Sequence, residues 1–75
     1  MKAYEINTTA FDEENLIIFT DLTESQIKKV IEPIVLSERE DGEYYDNDVL
    51  LDALVDAYPK NEIYGYQNNP KLITI

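Results

Sequence analysis

YDNDVLLDALVDAYP, residues 45–59, decides the fold of this chain, because one segment carries a helix start, an apolar stripe and a helix stop. Asp46 or Asn47 can accept a hydrogen bond from the first unpaired amides of a helix, and Asp48 adds negative charge at the positive end of its dipole. Leu50, Leu51, Leu54, Ala57 and Tyr58 then recur at the i, i+3, i+4, i+7 spacing of one face, while Asp48, Asp52 and Asp56 repeat every four residues on another. Pro59 restricts the backbone of Tyr58 and closes the helix. The segment therefore offers leucines to a core and a row of three carboxylates to its surroundings.

Upstream, residues 21–40 read DLTESQIKKVIEPIVLSERE and open a second helix by two rules at once. Thr23 with Gln26 three residues later forms a capping box, and Leu22 can close on Ile27 as a hydrophobic staple. Ile27, Val30, Ile31 and Ile34 continue the stripe, with Lys28 and Lys29 turned away from it. Pro33 removes one backbone bond and crowds the carbonyl of Lys29, which predicts a kink or a stop at Glu32 followed by a short turn over residues 34–38. Ser37 to Tyr45 then reads as the connection between the helices, with Asp41-Gly42 as a turn signal.

Both ends of the chain read as strands. From Lys2 to Thr8, Tyr4 and Ile6 fall on one side and Ala3, Glu5 and Asn7 on the other. A polar connection, residues 9–15, leads to Leu16-Ile17-Ile18-Phe19-Thr20, whose apolar residues on both alternating sets mark a central strand or one whose second face meets another surface. Together these predict a hairpin with a long loop. After Pro59-Lys60-Asn61 turns the chain, residues 62–67 read as a strand, Asn68-Asn69-Pro70 as a turn and residues 71–75 as a final strand, a second hairpin. The order ββααββ predicts a single small α+β domain over residues 1–75, an antiparallel sheet with two helices packed on one face.

Composition removes whole classes of function. With 44% hydrophobic and 11% aromatic residues, the chain of 75 is too apolar for a disordered segment, yet too short for a large cleft. Sixteen acidic against six basic residues give a formal charge of −10, which repels nucleic acids and anionic membranes. Cysteine and histidine are both absent, so the chain has no disulfide, no thiolate or imidazole metal site and no histidine base to activate Ser25 or Ser37. Gly42 and Gly65 are the only glycines, too few for a phosphate loop. No apolar run approaches the roughly 20 residues that span a bilayer, and MKAYEINTT lacks a signal-peptide core, so the expectation is a cytoplasmic protein.

Among the remaining chemistries, a catalytic carboxylate pair needs a cleft that separates two pKa values, whereas these acids lie in polar runs. Aligning Gly42 with the sixth place of an EF-hand loop puts Arg39 at a ligand position, which disqualifies that motif, and leaves only an irregular hard-cation cluster of Glu38, Glu40, Asp41, Glu43 and Asp46 against a solvated loop. Tyr64 and Tyr66 share a strand face, and Tyr44 and Tyr45 precede the second helix. They read as rings at the core edge, or as an aromatic patch for a protein partner. The expectation is no enzyme, with no catalytic, cofactor or metal residues. Eight acids stand against Arg39 alone between residues 38 and 56: Glu38, Glu40, Asp41, Glu43, Asp46, Asp48, Asp52 and Asp56. Carboxylates four residues apart on a helix lie about 6 Å apart along its axis, similar to successive phosphates on one DNA strand. Such a field either keeps a small protein soluble or fits the basic groove of a nucleic-acid-binding protein.

Asp21-Leu22-Thr23-Glu24, then Tyr45, Asn47, Leu50 and Leu54, and the Tyr58-Pro59 closure resemble short acidic proteins encoded by phages and mobile elements of Gram-positive bacteria. The resemblance covers the middle half of the chain and implies a setting, the bacterial cytoplasm during phage or element propagation, without site residues. The functional expectation is an acidic module that binds a protein, in the manner of a DNA mimic or an inhibitor of a nucleic-acid-binding protein, through the eight acids named above. The alternative is a small structural or accessory protein that dimerises or docks through its sheet, by residues 16–19 or 72–75.

Overall fold

The computed structural model describes residues 1–7, 15–41, 46–65 and 70–75, with the backbone alone at 38, 39 and 41. The elements run β1 (Lys2–Asn7), β2 (Leu16–Thr20), α1 (Glu24–Asp41), α2 (Asn47–Ala57), β3 (Ile63–Gly65) and β4 (Lys71–Thr74). The fold is α+β, as the order of apolar periods predicts. One four-stranded sheet, ordered β3-β2-β1-β4, carries the helices on one side.

Alternation in β1 selects that side. Tyr4 and Ile6 are buried while Ala3, Glu5 and Asn7 are only half-buried. Register places Ile18 opposite Tyr4 and Ile73 opposite Ile6, so these four residues form one apolar layer. Against it pack Ile27, Ile31 and Val35 from α1 with Leu50 and Leu54 from α2, all close to fully buried. At about 25 cal/mol per Å² of buried apolar surface, these side chains supply most of the stabilisation that opposes chain entropy.

Local capping holds as the sequence predicts. The Thr23 amide donates to Gln26 Oε1 at 2.8 Å, and the Gln26 amide donates to Thr23 Oγ1 at 3.2 Å, completing the capping box. Of the two candidates at the start of α2, Asp46 is the cap and accepts from the Val49 amide at 3.0 Å. The Tyr58 amide closes α2 on the Leu54 carbonyl, and its hydroxyl donates to the Gln26 carbonyl at 3.4 Å, joining the end of one helix to the start of the other.

The junction between β2 and α1 organises the rest. Thr20 is completely buried; its hydroxyl donates to the Glu62 carbonyl at 2.6 Å and accepts from the Leu22 amide at 3.1 Å. Tyr4 Oη donates to the Leu22 carbonyl at 3.2 Å, and Asp21 Oδ1 accepts from both the side chain of Asn61 and the amide of Glu62. These bonds hold the segment entering β3 against β2, where Thr20 pairs Ile63, Phe19 pairs Tyr64 and Ile18 pairs Gly65.

Four expectations require correction. The sheet is mixed, because β4 pairs parallel to β1, and β3 and β4 form no hairpin: they lie on opposite edges. Pairing with β1 buries Ile73 beside Ile6 and covers an edge that a hairpin with β3 would leave bare. Of the two outcomes expected at Pro33, a kink or a stop, the stop does not occur: α1 runs through the proline as one element of 18 residues. Pro33 and Lys29 are both exposed, so the carbonyl left unpaired meets water, and Val35, buried beyond the proline, rewards continuation. The interhelical connection is correspondingly shorter, since Ser37 to Asp41 belongs to α1. Ala57, placed on the apolar stripe of α2, is exposed; a methyl group adds too little burial to hold the last turn inward. The loop at 9–14, the Asn68-Asn69 turn and Tyr44, Tyr45 and Tyr66 lie outside the described residues.

Candidate functional site, the acidic face of the second helix

Leu50 and Leu54 fix the rotation of α2 by their burial, and that rotation settles where its acids go. At 100° per residue, Val55, Asp48, Asp52, Asp56 and Val49 fall in this order within an arc of about 120° centred opposite the two leucines. Asp48, Asp52 and Asp56 are all exposed, and Val49 and Val55, each 45% exposed, border the row on its two sides. The helix itself contains no lysine or arginine, and the next cation along the chain, Lys60, lies beyond its end, four residues after Asp56. Like charges at this spacing cost a few tenths of a kcal/mol per pair, tolerated here because the leucine face outweighs them.

The other acids of the proposed surface divide. Glu40 is exposed near the end of α1. Asp46 is half-buried and occupied as the cap of α2, a structural role that explains its carboxylate without a partner. Glu43 lies outside the described residues, as do the side chains of Glu38 and Asp41. The structure therefore brings together Asp48, Asp52 and Asp56 as one surface.

Chemistry beyond charge has little support in the remaining geometry. Among the described residues no three acidic side chains converge where a metal ion could sit. A depression of about 260 Å³ at the start of α1 is lined by Lys2, Tyr4, Asp21, Thr23, Glu24 and Lys71 among others, with charges of both signs. Its polar groups are engaged within the fold: Tyr4 on Leu22, Asp21 on Asn61 and Glu62, and Lys71 Nζ on Glu24 at 3.3 Å. That ion pair is exposed and contributes about 0–1 kcal/mol, enough to favour the seating of β4 without defining a site.

The sheet offers a second surface away from the helices. By register, Ala3, Phe19 and Tyr64 form one row across three strands, and Ile17, Glu5 and Leu72 form the next. Tyr64 and Leu72 are 54% and 57% exposed, whereas Ile17 and Phe19 are half-buried. Glu5 Oε2 accepts from Asn15 Nδ2 at 2.6 Å within this face. Apolar residues on both sets of β2 signalled this surface, and β2 is indeed a central strand. The role of Thr20 and Asp21 in seating β3 had no local signal, because their partners lie some forty residues away.

Fold and surface together define a small α+β domain with one acidic helix face. Compared with family models, curated proteins and solved structures, the chain matches none. Among the described residues, no helix is long and apolar enough to cross a membrane.

Proposed function

We propose that the chain is a non-enzymatic, acidic protein-binding module whose α2 row occupies the basic groove of a nucleic-acid-binding protein, as a DNA mimic or inhibitor. The observation that carries this reading is the exposure of Asp48, Asp52 and Asp56 on one arc with no cation on the helix. Their rise of about 6 Å per step is similar to that of successive phosphates on one DNA strand, and Val49 and Val55 offer apolar contact on either side. The sequence resemblance supplies the setting, the cytoplasm of a bacterium propagating a phage or mobile element.

The test is capture from host lysate by the parent chain and by a triple variant with Asp48, Asp52 and Asp56 changed to asparagine, each at low and high salt. Specific capture should weaken strongly with salt and disappear in the triple variant. Capture indifferent to both changes removes the electrostatic reading.

A second reading, an accessory protein that associates through its sheet, is favoured by the exposure of Leu72 on the edge strand β4 and of Tyr64 on β3.

A further inference from the structure

One hydrogen bond fixes which backbone groups β4 turns outward. The Ile75 amide donates to the Asn7 carbonyl at 2.8 Å, so residues 71, 73 and 75 address β1 and, by the alternation of a strand, Leu72 and Thr74 point away from the sheet. Since β4 ends the strand order, two amides and two carbonyls line this edge, beside an exposed Thr74 and Leu72, which is 57% exposed. Natural edges are guarded by bulges or by charges. Here the register runs without a bulge, and Lys71, the one charge on the strand, is drawn to Glu24 at 3.3 Å on the helix side. All sixteen acids lie at or before Glu62, and the two that stand against β4 are engaged, Glu24 by Lys71 and Glu5 by Asn15. For a chain of charge −10, this edge is where another copy meets the least repulsion.

We propose that two copies of this chain join edge to edge through β4, antiparallel about a two-fold axis at Ile73, into one eight-stranded sheet. The inference rests on the sheet-association reading and names its partner; it is independent of the acidic face. A second copy fits because the edge is self-complementary. Leu72 and Thr74 stand one residue either side of Ile73, so the axis sets Leu72 of each copy opposite Thr74 of the other, and each such pair exchanges two backbone bonds. Four bonds form without an offset. On the open face leucine then lies beside threonine, and on the helix side the stem of Lys71 lies beside Ile75. The two Lys71–Glu24 pairs fall at opposite ends, about 13 Å apart along the strands, so like charges do not meet. Remaining repulsion comes from the net charge of −10 on each copy, and added salt therefore strengthens the dimer while it weakens any complex held by the α2 carboxylates.

The chain has no cysteine, so single labels report the geometry directly. The parent chain should show a concentration-dependent dimer in sedimentation velocity that gains strength with salt. Nitroxide labels on Leu72→Cys and, separately, on Tyr64→Cys occupy exposed positions on the open face of the two edge strands. Pairing through β4 brings the backbones of the two copies within about 8 Å at position 72 and leaves them more than about 30 Å apart at position 64. Thr74→Pro removes an outward amide, which an edge strand tolerates, and should weaken the dimer by at least about tenfold while circular dichroism of the monomer stays unchanged. A chain that stays monomeric at every concentration and salt overturns the proposal. A dimer with labels close at 64 and distant at 72, or close at both, also overturns it and leaves the sheet-association reading standing, through β3 or through the open face. A dimer distant at both positions places association on the helices and removes both.

Discussion

Replacing Thr20 by valine preserves the shape of a completely buried side chain and removes only its hydroxyl, the bridge between the β2–α1 junction and the segment entering β3. Two bonds are lost. The Leu22 amide, on a residue 2% exposed, is left without its partner, at a cost of about 1–3 kcal/mol for a buried donor. The Glu62 carbonyl belongs to an exposed residue and can turn to water, so its bond contributes nearer 1 kcal/mol. The expected loss is about 2–4 kcal/mol, a large share of the roughly 4–11 kcal/mol available to a domain of this size. Urea unfolding followed by far-ultraviolet circular dichroism should show the midpoint falling by about 2–4 M at an m-value near 1 kcal/mol/M. Thermal unfolding should show a fall of roughly 10–30 °C. Thr20→Ser keeps the hydroxyl, loses one methyl group and should cost only about 1 kcal/mol. A valine variant within about 0.5 kcal/mol of the parent, or a serine variant less stable than the valine one, would refute the assignment of this stability to hydrogen bonds.

Three further substitutions test the helices. Pro33→Ala restores the backbone donor at an exposed position inside α1 and should stabilise the chain by about 1–2 kcal/mol, net of the greater freedom of the unfolded alanine chain, read as a higher urea midpoint. Asp46→Ala removes the cap of α2 and should cost about 1 kcal/mol, whereas Asp46→Asn keeps an accepting oxygen and should cost less than half of that. Leu54→Ala leaves a cavity where α2 meets the sheet and should cost about 2–5 kcal/mol, leaving a substantial unfolded population at 37 °C by circular dichroism.

Much of the candidate site was legible from α2 alone. The spacing of Leu50 and Leu54 against Asp48, Asp52 and Asp56 assigns the two faces correctly, because burying one side of a rigid helix exposes the other. Asp46 shows the limit of counting acids: its charge belongs to the same run, but its geometry commits it to the helix start. Ala57 fails for a related reason, since periodicity counts an alanine as apolar although its methyl group carries little weight in packing.

What the sequence by itself determined is what bonds within a few residues can enforce. The capping box of Thr23 and Gln26 spans three residues, the Asp46 cap spans three, and the alternation of Tyr4 and Ile6 needs only the pleat of one strand. Tertiary structure decided which strands became neighbours. A turn-like Asn68-Asn69-Pro70 suggests a hairpin, but pairing follows from which edge offers burial and partners. Thr20 and Asp21 hold the segment before β3 on one edge, and Ile6 receives Ile73 on the other, so the final strand lies parallel to the first. Proline inside α1 follows the same logic: its local cost is fixed by the covalent ring, and the burial of Val35 beyond it determines that the helix continues.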